Sequence, residues 1–77
     1  MNIKLTGEYA SLTGRSEIEV YGPTTIKGLL NCLDTSYPNY GWGASNVAIN
    51  GTMYANAWTK TITEEDEIVI MPPIEGG

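Results

Sequence analysis

The sequence predicts an α+β fold in which four to five strands form a sheet and one main helix covers one of its faces. Three observations support this prediction. Several short runs alternate apolar and polar residues, which is typical of half-buried strands. One longer segment has apolar residues spaced three and four positions apart, as on one face of a helix. Glycine, proline and asparagine separate these segments, and a chain of 77 residues has room for one small domain.

Charge and composition exclude several classes of function. Nine acidic and four basic residues give a net charge of −5, which argues against binding to nucleic acid or to an anionic membrane and favours a basic protein partner. No apolar run approaches the ~20 residues that span a bilayer. With one cysteine, no histidine and no signal-peptide pattern, we expect no internal disulfide and a cytoplasmic protein.

The first third of the chain is predicted to form a β-hairpin. Residues 1–6 and 16–21 both alternate, and residues 7–15 read as a turn-rich connection in which Leu12 folds back over the apolar face. The inward-facing residues of the two strands would be Ile3, Leu5, Ile18 and Val20.

The main helix is predicted to begin after Thr24 or Thr25, because either hydroxyl can cap a free first-turn amide. Pro38 would end it. Its apolar stripe consists of Ile26, Leu29, Leu30 and Leu33. Cys32 lies beside the stripe and reads as a small, partly buried apolar residue, since a functional thiol needs an activating neighbour.

A loop and a second hairpin follow the helix. The aromatic and glycine-rich loop at 39–46 is predicted to cover an edge of the core, with a binding surface as the alternative. Residues 47–49 form a strand in which Ala48 faces away from the core. Asn50-Gly51 is a strong two-residue turn signal, and residues 52–55 would form a short return strand at an edge of the sheet.

The segment before the last strand is predicted to be irregular. Trp58 and Ile62 are its expected buried anchors. The acidic run at 63–67 lacks the spacing of a calcium-binding loop and reads as a solvated turn, so we expect no metal site.

The last strand is predicted to present two different faces. Ile68 and Ile70 would meet the helix stripe, which turns Val69 and Met71 toward the open face of the sheet. With Ile74 beyond them, these two side chains would form an apolar docking strip for partner proteins.

The chain after this strand reads as a flexible tail at 72–77, distinct from a domain at 1–71. Pro72 and Pro73 lack backbone donors, so they end the sheet pairing and direct the tail away from the domain. Gly76 and Gly77 carry no Cβ, and such a tail can enter a narrow channel with its terminal carboxylate unhindered. We therefore interpret Gly77 as the reactive group, delivered into the active site of another protein.

Residues 66–77 resemble the C-terminal signature of the small subunit of molybdopterin synthase, a member of the ubiquitin-like sulfur carriers. The shared features are an acidic pair, an apolar strand, Pro-Pro, an apolar residue, one variable residue and Gly-Gly. The resemblance implies a β-grasp (ubiquitin-like) roll with a mixed sheet, in which the first and last strands are parallel neighbours. The sequence departs from the family in having no phenylalanine.

The resemblance also implies a mechanism. An E1-like adenylating enzyme would use ATP to activate the Gly77 carboxylate, and sulfur from a persulfide would convert it to a thiocarboxylate. The large subunit of molybdopterin synthase would then pass the sulfur to a pterin precursor. Gly77 and Gly76 would carry the chemistry. The residues that contact both partners would be Val69, Met71, Pro72, Pro73, Ile74 and Glu75. No cofactor would be bound by the chain itself.

Two alternatives remain open at this stage. The sulfur could serve another product, such as thiazole, cysteine, a thiolated tRNA base or a secondary metabolite. Alternatively, the chain could be a ubiquitin-like modifier joined through Gly77 to lysines of target proteins.

Overall fold

A computed structural model describes residues 1–73 of the chain. These residues form one five-stranded mixed sheet and two α-helices. In chain order its elements are β1 (Asn2–Leu5), α1 (Gly7–Thr13), β2 (Glu17–Glu19), α2 (Ile26–Ser36), a 3-10 turn (Trp42–Ala44), β3 (Asn46–Ile49), β4 (Thr52–Tyr54) and β5 (Ile68–Met71).

The strands lie in the order β2-β1-β5-β3-β4. β1 and β5 are parallel, whereas the other neighbouring strands are antiparallel. The two strands furthest apart in the chain are therefore side by side, with β5 in the centre of the sheet. This arrangement confirms the β-grasp fold class.

The core lies between one face of the sheet and α2. All four residues of the predicted stripe are buried, and each such side chain contributes about 1.5–3 kcal/mol by leaving water. The Thr25 hydroxyl accepts a hydrogen bond from the Gly28 amide at 3.1 Å, so Thr25 is the N-cap. The helix ends at Ser36, close to Pro38 as predicted, and Cys32 is half-buried against the core.

The connection between β1 and β2 contains a helix, α1, that the sequence pattern did not predict. Tyr9 is its only buried residue, so the segment shows no apolar stripe. The Tyr9 ring stacks on Trp42 with centroids 4.3 Å apart, and its hydroxyl lies 2.9 Å from Ser45 Oγ. The predicted burial of Leu12 is wrong, because its side chain is 48% exposed while Tyr9 fills the core position.

The aromatic loop covers the core edge, as predicted. Trp42 is 1% exposed, and its Nε1 donates to the Tyr37 carbonyl at 2.8 Å. Of the two anchors expected further on, Ile62 is buried, but Trp58 is 47% exposed. The Trp58 segment is attached through its backbone, whose carbonyl accepts from the Lys27 amide at 2.9 Å, and this leaves the indole outside beside α2.

The β3–β4 turn is joined to the acidic turn before β5. Asn50 and Gly51 have φ angles of 52° and 85°, as the turn type requires. The Asn50 side chain donates to Asp66 at 2.9 Å and accepts from the Glu67 amide at 2.9 Å. Asp66 also accepts from the Thr63 amide at 2.8 Å, and these hydrogen bonds lower the pKa of its carboxyl group. These hydrogen bonds between the two turns fix the start of β5.

The N-terminal ammonium group is also tied to the sheet. Met1 N donates to the Val20 carbonyl at 2.8 Å and pairs with Glu64 at 2.8 Å and with Glu19 at 3.4 Å. Hydrogen bonding to Glu64 raises the pKa of this amino group, against the opposing effect of burial.

Candidate functional site

The two faces of β5 differ as the sequence predicts. Ile68 and Ile70 are 0% exposed, whereas Val69 and Met71 are half-buried on the opposite face. Val69 lies between Lys4 of β1 and Ala48 of β3, and Met71 lies opposite Asn46 of β3. Val69 and Met71 therefore lie on the open face, as predicted, whereas Ile74, the third member of the predicted docking strip, lies outside the described residues; the role of the strip in docking remains a prediction.

Pairing register extends this strip across the whole sheet. One cross-strand row on the open face consists of Glu17, Lys4, Val69, Ala48 and Met53, contributed in order by β2, β1, β5, β3 and β4. Met53 is 52% exposed and Ala48 is half-buried. The row is thus charged at the β2 edge and apolar from its centre to the β4 edge. A complementary partner would present an apolar surface bordered by charge.

Sequence reasoning missed Lys4, Glu17 and Met53 as members of this surface. Alternation along each strand assigns a residue to one of two faces, but it does not say which strands are neighbours. Only the central position of β5 brings the five side chains into one row.

The chain leaves the sheet directly after Met71. Pro72 is half-buried and Pro73 is exposed; we call these two residues the tail root. Neither has an N–H group, so the ladder with β3 cannot continue through them. The Ile70 carbonyl accepts from the Thr6 amide at 3.2 Å and from the Thr6 hydroxyl at 3.4 Å, which holds the end of β5 to β1. The remaining predicted site residues, Ile74, Glu75, Gly76 and Gly77, lie outside the described residues.

A second surface feature is a groove of about 260 Å³ on the outer side of α2. Its lining residues are Lys27, Leu30, Asn31, Gly43 and Trp58. Because α2 covers the face of the sheet opposite Val69 and Met71, this groove is separate from the predicted docking strip.

Two further observations on residues 1–73 concern metal binding and membrane spans. In this range no group of three His, Cys, Asp or Glu residues is placed to hold a metal ion. Neither helix is long and apolar enough to cross a membrane.

Comparison with known proteins places this geometry in a family. The model of the ThiS family matches residues 3–77. Among curated proteins, none has a significantly similar sequence.

Several solved structures share the fold. A Pyrococcus furiosus protein assigned as molybdopterin converting factor subunit 1 has a TM-score of 0.75 at 20% identity, with 95% of each chain covered. Small archaeal modifier protein 1 (SAMP1) of Methanosarcina acetivorans has a TM-score of 0.74 at 24% identity, covering 99% of this chain and 94% of that one. SAMP1 of Haloferax volcanii has a TM-score of 0.64 at 25% identity, covering 99% and 97%.

The family match extends over nearly the whole chain, including the last strand and the Gly-Gly end, and the sheet order is that of the β-grasp. The chain therefore belongs to the ThiS family, and its fold is the ubiquitin-like β-grasp.

Proposed function

We propose that this protein is a sulfur carrier whose Gly77 carboxylate is adenylated and then converted to a thiocarboxylate. The observation that carries the proposal is the continuity between the open-face strip and the tail. Val69 and Met71 lie on the central strand, and the chain passes from them into the tail root within one residue. A partner that binds the strip would therefore hold the start of the tail at a fixed place.

The chemistry requires an activated carboxylate, because the carboxylate itself is a poor electrophile. In the proposed reaction the Gly77 carboxylate attacks the α-phosphorus of ATP and pyrophosphate leaves. The terminal sulfur of a persulfide then attacks the acyl carbon and AMP leaves. A thiol cleaves the resulting acyl disulfide, which gives the thiocarboxylate and a new disulfide. The E1-like adenylating enzyme binds the ATP in this scheme, and the carrier supplies the acyl group.

Gly76 and Gly77 suit this role on chemical grounds. The absence of Cβ atoms lets the backbone pass through a narrow channel and leaves the carbonyl carbon open to attack. In the same scheme Pro72, Pro73, Ile74 and Glu75 contact the walls of the channel. These roles extend the family match, which includes all six residues.

Within the carrier class, we propose the small subunit of molybdopterin synthase as the specific function. The resemblance of residues 66–77 to the signature of that subunit supports it. In this role the protein would bind the large synthase subunit through the open-face strip, and the sulfur of Gly77 would pass to the pterin precursor.

A protein modifier is the second candidate, since the fold is shared with SAMP1 at 25% identity over 99% of this chain. A modifier would use the same adenylated intermediate, but a lysine amine would displace AMP and form an isopeptide bond. The two candidates therefore differ only in the nucleophile that consumes the adenylate.

Intact-mass measurement of the protein from cells tests both candidates. A carrier would be heavier by the difference between a sulfur and an oxygen atom, with the change located at Gly77. A modifier would appear as a ladder of conjugates in the lysate. Unchanged mass with no conjugates, in cells that contain an active adenylating enzyme, would contradict both.

A variant lacking Gly77 provides the biochemical test. It should fold normally but support no ATP–pyrophosphate exchange, because the reacting carboxyl no longer reaches its place. A variant with one residue added after Gly77 should behave in the same way. Normal exchange by either variant would disprove the carrier mechanism.

A further inference from the structure

The corner between β1 and α1 lies against the point where the chain leaves β5. Thr6 follows the last residue of β1, and its amide and hydroxyl both donate to the Ile70 carbonyl. Gly7 comes next and begins α1 with a φ angle of 56°. The corner is therefore attached to the end of β5 before the tail root begins.

Gly7 also packs against the tail root itself. A Cβ built on Gly7 would lie 3.4 Å from Pro72 Cγ and 3.6 Å from Pro72 Cδ. At these distances a Cβ would just touch the Pro72 ring, so a side chain that extends beyond the Cβ toward the ring would collide with it. Gly14, at the other end of α1, has a similar φ of 72°, but a Cβ there would meet nothing within 4 Å. Position 7 is thus restricted by both its backbone angle and its neighbour, whereas position 14 is restricted by its angle alone.

We propose that Gly7 is a positioning residue that sets the direction in which the tail leaves the domain. Pro72 has no N–H group, so a ladder hydrogen bond cannot fix its ring, and packing must do so. Gly7 supplies a flat surface that lets the ring lie close to the β1–α1 corner. A larger side chain at position 7 would push the ring outward and turn the exit.

The inference rests on the proposed function, in which Gly77 reacts at a fixed place in the adenylating enzyme. Gly77 lies five residues beyond Pro72 in the sequence, so the tail root sets the point and the direction from which the chain to Gly77 starts. Small misplacements of a reacting group lower the rate of the chemical step more than they weaken binding. Gly7 would therefore affect catalysis although it lies outside the open-face strip that the partner binds.

Asparagine variants separate packing from backbone strain. Asparagine tolerates positive φ, and this chain already places Asn39, Asn50 and Asn56 at such angles. Gly7→Asn adds a side chain beside Pro72, and Gly14→Asn adds the same side chain to open space. Gly7→Asp and Gly14→Asp form a second pair in case the asparagine pair folds poorly, because aspartate also tolerates positive φ and has a side chain of the same size.

The experiment measures ATP–pyrophosphate exchange by the adenylating enzyme of the same organism, with each full-length variant as carrier. We expect Gly7→Asn to lower kcat about tenfold with KM unchanged, and Gly14→Asn to change neither. Both variants should keep similar melting temperatures. In NMR spectra, the Pro72 ring resonances should shift in Gly7→Asn and stay in place in Gly14→Asn.

Two negative results are distinguishable. Equal kcat values for the position 7 and position 14 variants, with normal exchange by the unmodified protein, would overturn the role of Gly7 alone. Absence of exchange by the unmodified protein would overturn the proposed function itself. Unshifted Pro72 resonances in Gly7→Asn would overturn the packing on which the inference depends.

Discussion

Aspartate should unfold the protein at Ile70 but only weaken partner binding at the adjacent Met71 of β5. Ile70 is 0% exposed between Leu5 and Val47, so Ile70→Asp removes a buried side chain and places a carboxylate in the core. Truncating such a residue costs about 2–5 kcal/mol, and burying an unpaired charge adds several more. A domain of 77 residues has about 4–12 kcal/mol of stability in total. We expect Ile70→Asp to be unfolded.

Met71→Asp should leave the protein folded, because the side chain is half-buried on the open face. Loss of its apolar contact and burial of a carboxylate beneath a partner should weaken binding by about 2 kcal/mol, roughly thirtyfold. Trp58→Asp is a suitable control, since Trp58 is a large exposed residue that lies on the α2 side of the molecule. It should change partner affinity little.

Circular dichroism, urea unfolding and titration with the adenylating enzyme measure these effects. A folded Ile70→Asp and an unfolded Met71→Asp would mean that the two faces of β5 are exchanged. Equal loss of affinity in Met71→Asp and Trp58→Asp would mean that the open-face strip is not the docking surface.

Three further predictions concern charge, pH and the missed helix. Glu17→Lys, at the charged β2 edge of the open-face row, makes both charged residues of the row basic and should slow association with a basic partner about tenfold at low ionic strength and less at high salt. The pKa of the Met1 amino group is raised in the folded protein. The ion pair of this group with Glu64 therefore stabilises the fold fully below about pH 8, and the stabilisation is lost as the pH rises through the folded-state pKa. Glu64→Gln should accordingly reduce the fall in melting temperature between neutral pH and about pH 10. Tyr9→Phe should cost about 1–2 kcal/mol, because it leaves the buried Ser45 hydroxyl without its partner at 2.9 Å, and urea unfolding measures this loss.

Each of these three predictions has an outcome that would contradict it. If Glu17→Lys associates at the parent rate at every salt concentration, the charge of residue 17 plays no part in recognition of the partner. An identical alkaline transition in Glu64→Gln would show that the ion pair with Met1 contributes nothing. Unchanged stability of Tyr9→Phe would mean that the hydroxyl is satisfied in some other way.

The local pattern of apolar and polar residues was sufficient to predict those elements in which buried residues recur at a regular spacing. The stripe from Ile26 to Leu33 and the alternation in β5 each place apolar residues at a fixed period, and the structure agrees with both. The Asn50-Gly51 turn was predictable for another reason, because few residue pairs accept positive φ at both positions.

Local pattern failed where a single contact with a distant residue decides the structure. α1 is stabilised by one buried side chain, Tyr9, whose partners Trp42 and Ser45 are more than thirty positions away. Leu12 and Trp58 were expected to be buried because they are apolar, but both are about half exposed. Tyr9 is the buried residue of α1, and the Trp58 segment is attached through its backbone. The open-face row could not be assembled from sequence for the same reason, since it depends on the order of strands.

The central position of β5 determines when during synthesis the open face of the sheet is completed. β5 is the final strand in the described part of the chain, yet it separates β1 from β3. Until it is synthesised, the β1–β2 pair and the β3–β4 hairpin have no strand between them to pair with, and the β1–β5 pairing spans most of the sequence. A ribosome-bound or truncated chain that lacks β5 therefore has no assembled open face. Under the proposed function, the adenylating enzyme would find a complete docking surface only on molecules that have finished folding.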